Sequence, residues 1–300
     1  MSSGGADRFS LTTDQYLEKY HVNTYLEDAV SQLLEHKEDN PRVVPASFLS
    51  DYFRSVVQGN HVLFREFPYI KTTPHNRAAF IRTFWKAFRH IGKNGDLLTV
   101  REYHSLICLL CPDFPFEPVQ KTARIILMDD AMDCLISFAD FLYAFQIQFY
   151  YEEFIEKLQA AYQAIQSGSY RPGQVVVVPT LSRPRQAPAP TGEGAGTNGM
   201  DCVDVHTFLE ATLQIAHTSS HLFSCPSVTV VKHILSTVER VTFYGFLMAL
   251  SKHDGANNNI GTPPEKAASM EETDQELNSS NNRPKSARPK GALTSNSKKL

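Results

Sequence analysis

The residues that come nearest to chemistry are the carboxylates between 129 and 140 and the His/Cys run between 104 and 111. A calcium loop offers oxygens at positions 1, 3, 5, 7, 9 and 12, with glycine at 6 and a bidentate glutamate at 12. The stretch 129–140 keeps Asp129 and Asp133 at positions 1 and 5 and Asp140 at 12, but has Ala131 at 3 and Cys134 at 6. Aspartate is shorter than glutamate and rarely reaches the ion with both oxygens. A second stretch, 92–102, brings Asn94, Asp96 and Glu102 near ligand places, yet Gly92 stands at position 1 and the central glycine is deleted. Calcium binding is therefore expected to be absent below about millimolar, the weak end for such loops. His104, Cys108 and Cys111 share one helical face, in an order that could serve zinc. A fourth ligand is not obvious, and half-buried thiols on an amphipathic helix are the simpler reading. The chain has no Gly-rich phosphate loop, no Gly-x-Ser-x-Gly elbow and no His-Glu-x-x-His. The acid pairs Asp129-Asp130 and Glu152-Glu153 suit a loop and a helix surface. No catalytic residue, cofactor-binding residue, cofactor or metal ligand is assigned, and the expectation is a binding protein that is not an enzyme.

The elements that frame those stretches are helices. Apolar periodicity marks helices over Phe80–Ile91, Arg101–Leu110, Pro118–Met128 and Phe138–Ile165, the last with a possible break. Helix–loop–helix occurs twice within 76–166, the plan of a degenerate EF-hand pair, and Leu98 and Ile136 stand where the two loops would pair. Residues 201–250 repeat this design without gaps. Leu98 corresponds to Val203, and Ile136 to Val241, at one shared offset. This second unit reads as truncated, since the stretch before it is a Pro-, Gly- and Ala-rich flexible linker over 182–199. Val175–Val178 reads as a lone short strand.

Composition sets the outer bounds. The hydrophobic share is 42% and the net charge is −3, so global electrostatics give no case for nucleic acid. No apolar run approaches the roughly 18 residues of a membrane helix, and the first residues lack a signal pattern. Five scattered cysteines fit reduced thiols. These features point to the cytosol or nucleus, where the Asn278 sequon has no role. Residues 251–300 are poor in large apolar residues and read as a disordered tail. Its charge is segregated: 281–300 holds Arg283, Lys285, Arg288, Lys290, Lys298 and Lys299 and no acid, a candidate contact for an acidic surface. The fold class expected is mainly α, a helical hairpin plus a degenerate EF-hand-like core and this tail.

Residues 13–58 read as the hairpin. Tyr25, Leu26, Ala29, Val30, Leu33 and Leu34 form one stripe, Asn40-Pro41 ends it, and Pro45 starts a second carrying Phe48, Leu49, Tyr52, Phe53 and Val56. Two short helices bury too little to stand alone, so the hairpin must pack on the chain, a second copy or a partner helix. Leu26, Val30, Leu33, Leu34, Phe48, Leu49, Tyr52 and Phe53 are the candidate docking residues. The hairpin resembles the docking-and-dimerisation hairpin of protein kinase A regulatory subunits, a family that pairs such hairpins and grips an amphipathic helix. Taken with Phe84-Trp85-Lys86-Ala87-Phe88-Arg89-His90 and the run Phe138–Phe145, the chain resembles the family of centriolar satellite-associated regulators of the tubulin polyglutamylase complex over roughly 1–250. The resemblance implies a non-catalytic regulator or scaffold controlling assembly or stability of that complex. It implies location in the cytoplasm at centriolar satellites, the centrosome and microtubules. The implied partners are complex subunits, satellite proteins and tubulin, with a homodimer possible and neither nucleic acid nor membrane. Charge alone makes the basic tail a candidate for acidic tubulin tails. The alternative is a calcium-responsive cytosolic adaptor.

Overall fold

The computed structural model describes residues 12–128, 133–171, 202–219, 223–258 and 260. The expected strand at 175–178, the linker at 182–199, most of the expected tail and all six of its basic residues lie outside them. Among the described residues the chain is mainly α. Helix α1 (Thr13–Lys19) leads into α2 (Val22–Asp39) and α3 (Pro45–Gln58). Proline at the first helical turn starts α3, where its missing N–H costs nothing. Gly59 ends it at φ +75°, a conformation that favours glycine. Two helices that follow, α4 (Phe67–Thr72) and α5 (Pro74–Asn94), turn on the Thr73 N-cap and Pro74.

Four short strands carry the repeat. Strand β1 (Leu97–Leu98) precedes α6 (Val100–Cys108), and after α7 (Phe116–Leu127) strand β2 (Ile136–Ser137) precedes α8 (Phe138–Tyr150). Helix α9 (Glu152–Gln166) follows a break at Tyr151. Strand β3 (Val203–Asp204) precedes α10 (Val205–Ser219), and after α11 (Val228–Leu235) strand β4 (Arg240–Val241) precedes α12 (Phe243–Lys252) and α13 (Asp254–Asn258). The strands pair antiparallel with Leu98 opposite Ile136 and Val203 opposite Val241. These are the two pairs the sequence offset anticipates.

One apolar core runs through both units, with α8 packed on α5, α7, α12 and α13. Phe141, Phe145 and Phe149 recur every four residues on α8 and form a near-parallel column, with centroids 5.7 and 5.5 Å apart. Tyr103 of α6 stacks on Phe141 at 3.9 Å and donates its hydroxyl to the Ile136 carbonyl at 2.9 Å, tying the helix to the strand pair.

Two expectations change. The second unit has a helix where an entering helix belongs, and it is α9, which the sequence reading placed in the first unit. It packs on α10 and β3. Its Tyr162 meets Phe208 and Phe243 at 5.7 and 5.6 Å and donates to the Val241 carbonyl. Phe84 of α5 meets Phe138 in the same way at 5.9 Å. The ordered core also extends into 251–300. Ala256, Asn257 and Ile260 are buried, and the Asn257 side chain accepts from Gln146 and donates to the Ser251 carbonyl. A single Ile and one amide suffice to seat this segment, which averaged composition overlooks.

Candidate functional site

The helices of the N-terminal hairpin run antiparallel. The Tyr52 hydroxyl reaches Asp28 at 2.6 Å, and the His36 ring meets Phe48 at 5.1 Å. Tyr25, Ala29, Tyr52 and Val56 form a small apolar cluster between them, separate from the main core, with Phe48 and Leu49 packed against it. Each buried residue is followed by an exposed apolar one. Leu26 follows Tyr25, Val30 follows Ala29, Phe53 follows Tyr52 and Val57 follows Val56; their exposures are 45, 51, 37 and 82%. A step of one residue turns a helix by about 100°. In antiparallel helices the same sense of rotation leads to the same side, so the four lie on one open face of the hairpin. Leu34, 58% exposed, flanks it on α2, and Leu33 is half-buried.

The candidate docking residues therefore divide. Leu26, Val30, Leu34 and Phe53 are open; Leu33, Phe48 and Leu49 are half-buried; Tyr52 is buried. Tyr52 leaves the open face because its hydroxyl serves Asp28 and contacts Tyr69 at 3.3 Å. Val57 was missed by the sequence reading, although it stands four residues after Phe53, a spacing that marks one helical face.

The opposite side of the hairpin is fastened to the core by polar groups. Asp28 accepts two bonds from Arg65, at 3.0 and 2.5 Å, and one from Tyr52. The Arg65 guanidinium lies 3.8 Å from the centre of the Tyr69 ring. The Tyr25 hydroxyl contacts Thr73 and Asn76, both at 2.8 Å, and His75 Nε2 lies 2.9 Å from the Val56 carbonyl. Burial pushes the Asp28 carboxyl up, and the bonds from Arg65 and Tyr52 outweigh it, holding the group below the usual carboxylate range. Burial also raises Tyr69, to about 12, so this phenol stays protonated. The anchored side fixes which side remains open.

The candidate metal residues are occupied otherwise. Gly92 and Asn94 lie inside α5, which runs on to Gly95 at φ +75°. Glu102 accepts from the Thr99 backbone N–H at 2.7 Å and its hydroxyl at 2.8 Å, closing a capping box on α6. Those bonds hold its carboxyl below the usual range. Asp140 accepts from the Ser137 hydroxyl, and Asp204 accepts from the Thr207 N–H and hydroxyl. Asp133 is described and exposed; Asp129–Met132 lie outside the described residues. In the His/Cys run, His104 Nε2 lies 2.8 Å from the Phe114 carbonyl, and the buried Cys111 thiol donates to Asp113 at 3.2 Å. Burial, then Asp113, pushes the Cys111 thiol up to about 12, so it stands as a thiol bonded to Asp113. Among the described residues no three His, Cys, Asp or Glu side chains are placed to hold a metal ion. No described helix is long and apolar enough to cross a membrane.

Known proteins place the chain. The family described as the CSTPP1 N-terminal domain matches residues 10–59, the hairpin with its lead-in helix. The centriolar satellite-associated tubulin polyglutamylase complex regulator 1 of Mus musculus is 53% identical over 273 residues, covering 90% of this chain and 81% of that protein. The proteins of the same name from Homo sapiens and Danio rerio are 51 and 50% identical over the same shares. No solved structure matches the chain. At this identity and coverage, the chain belongs to the family of centriolar satellite-associated tubulin polyglutamylase complex regulators.

Proposed function

We propose that this protein is a non-catalytic regulator of the tubulin polyglutamylase complex, acting as a scaffold that controls the assembly or stability of that complex at centriolar satellites. In this reading 13–58 is the docking module, and 76–166 with 201–250 form the body that presents it. The observation that carries the reading is the open apolar face of Leu26, Val30, Phe53 and Val57 on a hairpin whose other side is fixed to the body. Such a face suits the apolar side of an amphipathic helix, and we assign that helix to a subunit of the complex. The relatives carry the name of regulators of that complex, which supports the assignment. The non-enzymatic reading is supported by the fate of the acids and thiols described above, which act as helix caps and core contacts. The same caps disfavour the calcium-responsive alternative.

The test is co-precipitation of polyglutamylase subunits from cells with the variant Leu26→Asp/Leu34→Asp. Both positions are exposed, so the helical circular dichroism should stay unchanged while subunit recovery falls about tenfold or more, as expected when central apolar anchors are lost. Full recovery by a folded variant overturns the docking role. A concentration-dependent dimer that this variant abolishes, with recovery of the subunits intact, would assign the face to a second copy instead.

A further inference from the structure

We propose that the joint between the hairpin and the body is a proton-sensitive hinge, closed while His61 is neutral and opened when its buried ring takes a second proton. His61 follows α3 and is 8% exposed. Its ring meets Tyr25 of α2 edge-on at 5.9 Å, Tyr69 of α4 edge-on at 6.2 Å and His75 of α5 in a near-parallel stack at 5.3 Å. The hydrogen bonds around the ring fix where its proton sits. The Asn76 amide donates from Nδ2 to the Tyr69 carbonyl at 2.8 Å, so its Oδ1 is turned toward His61 and Tyr25. That oxygen lies 2.8 Å from His61 Nε2 and accepts from the Tyr25 hydroxyl at 2.8 Å. A carbonyl oxygen only accepts, so His61 Nε2 carries the proton and Nδ1 keeps a lone pair. Nδ1 is buried without a partner.

A second proton can enter only at Nδ1. The Nε2 bond to Asn76 survives it, so the cost is that of a charge placed in the interior. The Ser55 carbonyl is an acceptor for that proton, but it already takes the Asn60 N–H at 2.9 Å. Burial holds the His61 imidazole below its usual range, and the charge of His75 adds to this. The Asn76 bond, the Ser55 carbonyl and Asp28 oppose the burial without reversing it. The other groups around the ring keep their charge near neutral pH. Burial keeps Tyr25 and Tyr69 protonated, Asp28 stays ionised, and Arg65, bonded to it, stays charged. His75 donates from Nε2 to the Val56 carbonyl in either of its states and faces His61 across the stack. Opening relieves the buried charge because the same Asn76 oxygen that holds His61 holds Tyr25, and so ties α2 to α5. Tyr25 covers the ring from the hairpin side, so lifting α2 lets water reach it. The closed-state value lies below the open-state value of about 6.5, so the joint is at full strength above that pH. It weakens as pH falls from there toward the closed-state value. The inference stands without the docking reading; what the proton controls is the placement of the hairpin.

The test is native-state hydrogen exchange of the full chain between about pH 7.5 and about pH 5.5, with each rate corrected for the intrinsic effect of pH. One proton changes an opening constant by at most about tenfold over this window. Amides of α2 and α3 should lose about three- to tenfold in protection while those of α8 keep theirs. In His61→Gln, whose amide still donates to Asn76 and takes no proton, the loss should fall below about twofold. His21→Gln is the control: burial and Arg77 also hold His21 down, and this variant should retain the loss. An NMR titration of the His61 ring in the parent chain needs no variant to fold, and protonation should run in step with the loss of protection. Protonation of His61 with α2 and α3 still protected, equal loss in α8, the same loss in His61→Gln, or its disappearance in His21→Gln would each overturn the proposal.

Discussion

Replacing Asp28 by Ala tests whether the hairpin is held to the body by the Asp28–Arg65–Tyr52 cluster. The substitution removes an acceptor of two Arg65 bonds and one Tyr52 bond, and leaves a guanidinium and a hydroxyl without it. Breaking a fully buried pair costs about 3–5 kcal/mol, and breaking an exposed one about 0–1 kcal/mol. The Arg65 and Asp28 side chains are 21 and 11% exposed, which sets the case nearer the buried limit. We expect about 2–3 kcal/mol, which is about 30- to 150-fold in a local opening constant. The hairpin has its own small apolar cluster, apart from the main core, so this loss should be local. Native-state hydrogen exchange measures it: amides of α2 and α3 should lose protection by that factor while those of α8 keep theirs. The double variant Asp28→Leu/Arg65→Met should recover part of the loss, because neither charge is then left desolvated and alone. A change below about threefold, roughly 0.6 kcal/mol, would refute the fastening role. Equal loss through α8 would refute the hairpin as a separate unit. The pH dependence has a fixed sign. Because the folded carboxyl titrates below the unfolded one, its contribution is complete above the unfolded pKa of about 3.9. It is lost as pH falls through the lower folded value.

Other perturbations separate the remaining roles. Thr99→Ala removes the cap of α6 and should cost about 1 kcal/mol in urea unfolding, while about 1 mM calcium should shift the Tm of neither the parent nor the variant; a calcium-dependent rise in Tm would restore a metal role to that loop. Ile260→Asp puts a carboxylate where an apolar side chain is 3% exposed, and should cost about 3 kcal/mol and lower the Tm. An unchanged Tm would mean that the core ends before Ile260.

What could be read from the sequence was what repeats at a fixed period. The strand pairs were legible because alternation and a gapless offset do not depend on distant contacts; Leu98 and Val203 are visible as soon as two segments are aligned. The hairpin stripes were legible for the same reason, but which residue of each stripe is buried was not. Adjacent residues such as Tyr52 and Phe53 both carry rings, and the choice is made by Asp28, Arg65 and Tyr69, with Asp28 24 residues from Tyr52. The role of α9 was hidden because its partners β3 and α10 lie beyond a stretch of more than thirty residues from Ser167 to Cys202.

The helix caps give the paired loops contacts that the chain's own side chains supply. In a calcium-type loop positions 9 and 12 are also the N-cap and third residue of the exiting helix, so one pair of side chains serves two ends. In this chain the four pairs are Thr99/Glu102, Ser137/Asp140, Asp204/Thr207 and Thr242/Gly245, and all four make the cap bond from the third-residue N–H to the first side chain. The cap requires an oxygen at the first position alone, so the twelfth is free to change. It has gone furthest at Gly245, where a Cβ would stand 2.6 Å from the Thr242 hydroxyl. A side chain at this position would require the Thr242 hydroxyl to move. The apolar pairs Leu98/Ile136 and Val203/Val241 hold the loops together, and the caps hold each helix to its loop. Among the described residues both duties are met by the chain's own atoms.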